Sequence, residues 1–327
     1  MLNTDAKLRD DIFEEKVEKK PTRDGFGTGV VEAGRRNASV VVLSADLKES
    51  TRAEWFEKEF PERYIEMGVA EQNMATVAAG LAAVGKIPFI TSYAAFSPGR
   101  NYEQIRTTIA LNDVPVKVCG MHAGVSVGPD GATHQMLEDI AMMRALPNMV
   151  VINPTDAVEA HKAIVASAEN GVPTYLRFGR APTPTITTEE TPFSIGKALL
   201  LWEGEGARVA ICTTGALAHE ALLAARALTA EGTAVLVVSF PTISPLDEAM
   251  LYSVAKQVEK IVTVEEHQTV GGFGGAVAEY VSAVHPVYVE RLGVQHQFGQ
   301  SGEPQELISH YGLDAAHIIS AVQAPHP

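Results

Sequence analysis

The chain has 327 residues, 46% hydrophobic and 20% charged, a balance that excludes disordered and fibrous classes and gives core enough for about two domains. Its 26 Lys and Arg against 40 Asp and Glu leave a net charge of −14, which argues against a general binder of nucleic acid or of anionic membrane. The two cysteines, Cys119 and Cys212, lie in apolar stretches and read as small buried hydrophobes of a reducing compartment.

The segment before Lys20 is densely charged and has no apolar run of the signal-peptide kind. No apolar run elsewhere is long enough to span a bilayer, and a cytoplasmic location is expected. Leu8, Ile12 and Val17 predict a short leading helix with one side on a neighbour. Strands are predicted over residues 40–45, 64–69, 88–92, 115–119, 149–153 and 174–178, with helices over 24–35, 71–83, 102–111 and 157–167. The Pro- and Thr-rich stretch 182–192 breaks the alternation. Beyond it come strands at 208–213, 234–239, 260–264 and 287–291 and helices at 217–229 and 275–284. Regular alternation predicts an α/β fold of two domains with mainly parallel sheets flanked by helices. The first domain is expected over 1–186 with its helical extension, then a linker over 187–192, then the second domain over 193–327.

Three segments are candidates for chemistry. Residues 122–134, HAGVSVGPDGATH, form a Gly-rich loop after a buried strand and carry His122, Asp130 and His134. In parallel α/β sheets the carboxyl ends of strands are where ligands sit. The loop reads as a substrate site or as a solvated loop, and its spacing matches no usual zinc pattern. Gly124-Val-Ser126-Val-Gly128 matches a nucleophile-elbow pattern, but the loop residues that follow do not supply the helix that motif needs. Residues 67–74, MGVAEQNM, place Glu71 at the head of an almost wholly apolar helix. It is either an ordinary first-turn carboxylate or a group whose burial and helix terminus compete over its proton. Tyr93 and Phe96 follow a strand and either cap the core or form a stacking wall for a flat ring. The glycines of 25–29 and 271–275 fit neither G-x-G-x-x-G nor a P-loop, and tight turns or close helix packing explain them.

Taken together, IEMGVAEQNM, TSYAAF and GMHAGVSVGPDGATHQMLEDIAMMRALPN resemble the transketolase family of thiamine-diphosphate enzymes. The resemblance runs from Pro21-Thr22-Arg23 through SADLKEST to FGR at 178–180, and the second domain resembles the family's C-terminal domain. The Gly-Asp-Gly…Asn motif of the family's diphosphate domain is not present. The resemblance therefore implies the C-terminal subunit of a split transketolase. A separate N-terminal subunit would hold the diphosphate and Mg²⁺ or another divalent cation, in a heterotetramer with two of each chain.

The resemblance also implies roles residue by residue. Glu71 matches the glutamate that hydrogen-bonds a ring nitrogen of the cofactor's aminopyrimidine, and Tyr93 and Phe96 match the aromatics that stack on it. His134 matches a histidine near the reacting carbonyl and hydroxyls, and Asp130 an aspartate that reads a sugar hydroxyl. Arg23, Ser50, His122 and Arg180 match a pocket for a sugar phosphate, to which Arg100 adds. Asp46 lies in a matching segment with no role assigned. The implied reaction moves a two-carbon ketol unit from a ketose phosphate to an aldose phosphate. The rival readings are the beta subunit of a 2-oxo-acid dehydrogenase, which needs no sugar-phosphate cations, and a non-catalytic subunit of the same fold.

Overall fold

Strands buried on both faces need apolar side chains at every position rather than at alternate ones. Runs such as Val40-Val-Val-Leu43 meet that condition, and every residue from Val40 to Ser44 is buried. The structure, a computed structural model, describes residues 1–325. In chain order its strands are β1 (Lys19–Lys20), β2 (Val40–Ser44), β3 (Tyr64–Glu66), β4 (Ile87–Tyr93), β5 (Lys117–Met121), β6 (Val150–Ile152) and β7 (Thr174–Phe178). There follow β8 (Thr183–Pro184), β9 (Leu199–Trp202), β10 (Val209–Thr213), β11 (Val235–Ser239), β12 (Thr242–Ser244), β13 (Lys260–Gln268) and β14 (Tyr288–Val294).

The first sheet has the order β12-β6-β7-β5-β4-β2-β3 and is parallel except at β12. The second has the order β14-β13-β10-β11-β9 and is parallel except at β9. Helices cover them, so the chain is an α/β protein of two mostly parallel sheets. Every predicted strand forms, with its ends displaced by at most four residues. The unpredicted β9 and β12 are the short antiparallel edges. β12 lies beyond the Pro/Thr stretch yet pairs with β6, so the first sheet is completed by the second half of the chain. A continuous core joins the sheets, from Leu43 and Ile90 through Ile140 and Met143 to Phe240 and Phe273.

The leading helix expected over Leu8, Ile12 and Val17 does not form. A single 3₁₀ turn at Thr4–Ala6 is followed by turns and by β1. Tertiary packing overrides the helical spacing. Ile12 is fully buried against the second sheet's layer, its carbonyl lies 2.8 Å from His219 Nε2, and the Phe13 ring packs edge-on against Trp202. β1 then pairs with β8. The Pro/Thr stretch is itself held. Ile186 and Thr187 donate backbone N–H groups to Asp156, and Lys162 Nζ donates to the carbonyls of Thr188 and Thr191.

Candidate active site at the carboxyl edge of the first sheet

Because its strands run parallel, the first sheet delivers several loops to one edge. Ser44 lies opposite Thr91, Tyr93 opposite Met121, and Met121 opposite Phe178. The residues just past those ends, from Ser50 to Arg180, therefore converge. The helix Thr22–Arg36 brings Arg23 to the same place, since Gly179 donates its N–H to Thr22 Oγ1 at 2.7 Å.

Four rings form a cluster there. Tyr93 and Phe96 are stacked with centroids 5.9 Å apart and planes 20° apart. His122 stacks on Tyr93 at 4.2 Å, and His134 turns an edge toward Tyr93 at 5.9 Å and Phe96 at 5.5 Å. His134 is held by Thr133, whose hydroxyl lies 2.9 Å from Nδ1. Tyr93 and Phe96 are only half-buried, so they line a wall instead of filling the core.

The cations lie behind His122. Arg23 Nη1 donates to the Ser50 carbonyl at 2.8 Å and lies 3.0 Å from His122 Nε2. A guanidinium has only donors, so Nε2 accepts and the imidazole proton sits on Nδ1. His122 is buried, its φ is +55°, and among the described residues neither its Nδ1 nor Arg23 Nε has a partner. A left-handed histidine with an orphaned buried donor is a strained arrangement of the kind that clusters at functional sites. Burial, then the charges of Arg23 and Arg180, push the His122 imidazole down to about 3. Burial and the Arg52 charge also lower Arg23. Arg180 forms a 3.2 Å ion pair with Asp130 and donates to the Val127 carbonyl, while the Ser50 hydroxyl bonds the Tyr93 hydroxyl at 2.7 Å.

Glu71 heads the helix Glu71–Ala83 and is only 2% exposed. Its Oε2 accepts from Arg100 Nη1 at 2.7 Å, and the Arg100 guanidinium lies 4.8 Å over the Phe96 ring. Arg100 is thus not with the Arg23, His122 and Arg180 group that the sequence assigned it to. The turn through Ser97–Gly99 carries it to Glu71 instead. Asp46 is exposed, in a left-handed turn, and donates its N–H to Glu66, apart from the ring cluster's contacts.

Several groups that hold the site escaped the sequence reading. Arg52 adds a cation, paired with Asp24 at 2.7 Å. The second sheet clamps the loop after β5. Glu266 Oε2, at the carboxyl end of β13, accepts the Ser126 N–H at 3.0 Å. The buried Gln135 amide donates to the carbonyls of Val125, Gly128 and Gln300. Gly124, at φ +90°, has no room for a side chain, since a Cβ would lie 2.4 Å from Glu266 Oε2. Ser126 lies inside a kinked 3₁₀ segment, Val125–Asp130, and not at a strand-to-α-helix turn, so it is not in a nucleophile elbow. The signal for Glu266 was available: IVTVEEH puts charges at the end of an apolar strand, as at Glu71.

Residues 18–185 match the family model for the transketolase pyrimidine-binding domain, and residues 196–318 that for the transketolase C-terminal domain. Over 306 residues the chain is 44% identical to a Methanocaldococcus jannaschii protein assigned as a transketolase C-terminal section, covering 93% of this chain and 95% of that one. It is 37% identical over 309 residues to a 6-deoxy-6-sulfo-D-fructose transketolase subunit of Clostridium sp. (strain MSTE9), covering 94% and 95%. A solved split-gene transketolase, described as an inactive beta4 tetramer, superposes with a TM-score of 0.86 at 42% identity, covering 93% of this chain and 97% of that chain. No helix among the described residues is long and apolar enough to cross a membrane.

Proposed function

The chain belongs to the transketolase family as the C-terminal section of a split enzyme, and from that premise we propose that it completes a thiamine-diphosphate-dependent transketolase. The reaction moves a two-carbon ketol unit from a ketose phosphate to an aldose phosphate. We assign residues 1–186 to the pyrimidine-binding domain, with Ala6 and Ile12 packed on the second half's core, and 193–327 to the C-terminal domain, whose β12 completes the first sheet, with 187–192 between them. A separate N-terminal subunit holds the diphosphate and its divalent cation, and two of each chain assemble. Its two free, buried cysteines fit a cytoplasmic, reducing location. The observation that carries this reading is one sheet edge presenting a buried carboxylate, two stacked rings and a cationic pocket.

The residues present fit an aminopyrimidine. Glu71 offers a buried carboxylate, and Tyr93 and Phe96 offer half-exposed, nearly parallel faces beside it. When bound, thiamine diphosphate supplies the electron sink for breaking and making the carbon–carbon bond. Glu71 holds the pyrimidine nitrogen and exchanges a proton there. His134, edge-on to both rings, moves protons at the substrate oxygens. Asp130 accepts a sugar hydroxyl. Arg23, Arg180, Ser50 and the Nδ1–H of His122 hold the terminal oxyanion of the sugar, the class of ligand that unpaired buried donors await.

Mixing the chain with an N-terminal subunit bearing Gly-Asp-Gly…Asn tests the proposal. Ketol transfer is expected from the mixture and from neither chain alone, in keeping with the inactive tetramer described for the 42% identical relative. Arg180→Ala should raise KM for a phosphorylated acceptor about ten- to a hundredfold and leave an unphosphorylated acceptor within about twofold. Equal effects on both would sink the oxyanion assignment. The sulfo-sugar relative makes a sulfonated sugar the natural second substrate in that assay.

A further inference from the structure

We infer that Arg100 is an exchangeable counter-ion of Glu71, closing the ring site of the chain and leaving it when an aminopyrimidine enters. The inference rests on the proposed reading of that site. Two observations lead to it. Arg100 Nη1 donates to Glu71 Oε2 at 2.7 Å, and the same guanidinium covers Phe96 at 4.8 Å. One side chain therefore occupies both the carboxylate and the ring that the cofactor's pyrimidine requires.

The two ends of this ion pair are held very differently. Glu71 is 2% exposed, while the Arg100 side chain is 48% exposed and has no second polar partner among the described residues. The backbone around them is fixed. Buried Asn101 donates its amide to the Glu71 carbonyl at 3.0 Å and to Ser97 Oγ at 3.1 Å, tying the 97–101 turn to the helix that Glu71 heads. Displacement thus needs only rotation of an exposed arginine, with no loop movement.

Charge points the same way. The guanidinium donates to Glu71 Oε2 at 2.7 Å, on the same buried carboxylate that a ring nitrogen would have to bond. The guanidinium and a stacked ring cannot both occupy Glu71 Oε2 and the face of Phe96 at once. Without either partner, a buried carboxylate is left uncompensated. Arg100 supplies that compensation until the ring arrives, and the ring must compete with it.

The test uses the assembled two-chain protein and reads binding of thiamine diphosphate by equilibrium dialysis and by stopped-flow tryptophan quenching. Arg100→Gln is expected to tighten binding and speed association about tenfold, because the competing closed form is lost. Arg100→Lys should stay near wild type. In a Glu71→Gln background, Arg100→Gln should change neither quantity, since the pair is already broken. Unchanged or weaker binding by Arg100→Gln, with an intact thermal melt, would overturn the inference. If Glu71→Gln alone leaves both affinity and ketol transfer at the wild-type level, the underlying reading of the site fails instead.

Discussion

Two buried glutamates stand at strand-to-helix junctions, one in each half of the molecule, and they are satisfied in opposite ways. Glu265, at the carboxyl end of β13 and 1% exposed, accepts the N–H groups of Phe273 at 2.6 Å and Gly274 at 2.7 Å. Those are the first residues of the helix Phe273–Val284, so the chain's own carboxylate fills the anion cradle of the glycine-rich turn. Glu71 has no such backbone lock and faces one exposed arginine. A carboxylate fixed by backbone donors is structural. One balanced by a single rotatable cation is exchangeable. At the first sheet's edge the buried nitrogens His122 Nδ1 and Arg23 Nε have no partner among the described residues, whereas at the second, where the Thr214 hydroxyl is also unpartnered, Glu265 fills its own anion cradle.

The largest expected effect breaks the contrast directly. In the assembled enzyme, Glu71→Gln should lower ketol transfer by about 10²- to 10⁴-fold with the thermal melt intact. Glu265→Gln should leave kcat within about threefold. Comparable losses of activity in both variants would erase the distinction between an exchangeable and a locked carboxylate.

Stability should show the reverse order. Glu265→Ala strands two buried N–H groups, at about 1–3 kcal/mol each, and urea denaturation should register about 2–6 kcal/mol. Burial raises the Glu265 pKa, so the folded chain holds that proton more tightly than the unfolded chain. Its contribution is therefore fully present below the ordinary glutamate value and falls as pH rises through the raised one. Glu265→Gln should flatten that slope. A slope unchanged by the substitution would show that another group sets it.

A smaller effect tests how the second half serves the first. Gln135→Ala removes the amide that ties Val125, Gly128 and Gln300 together. Asp130 and His134 ride on that loop, so KM for the sugar substrate should rise about three- to tenfold with kcat less affected. A loss confined to melting temperature would make Gln135 a packing residue only.

Much of this was legible in the sequence, for identifiable reasons. Parallel strands buried on both faces read as unbroken apolar runs, and every predicted one forms. The edges β9 and β12 did not stand out, because short antiparallel strands at a sheet margin lack that signal. The leading segment misled, because Leu8 and Ile12 are spaced as on a helix while Ile12 is in fact buried by turns on the second half. At the site, Glu71, Tyr93, Phe96, His122 and His134 could be found from their motifs. Arg100 could not be placed, because a long exposed side chain after a turn can reach either the cation group or Glu71. Glu266 and Gln135 act through backbone groups of a distant loop, and that pairing is visible only in three dimensions.

The smallest expected effect is at His122, and it sharpens the comparison by what does not happen. Burial and the adjacent arginines push its pKa to about 3, from an ordinary 6.5. The unfolded chain therefore takes up this proton first. His122's contribution to stability is fully present above about 6.5 and is lost as pH falls toward 3, by at most about 1.4 kcal/mol per unit. Across pH 6–8 the imidazole stays neutral and offers an anion only its Nδ1–H. A sugar phosphate changes its own charge in this range, so the informative quantity is the ratio of wild-type to His122→Gln KM at each pH. That ratio is expected to be constant from pH 6 to 8, since a neutral donor replaces a neutral donor. A ratio that shifts toward parity as pH rises would mean that an imidazolium holds the oxyanion. His122 would then be an exchangeable charge like Glu71's partner, rather than a fixed donor of the pocket wall.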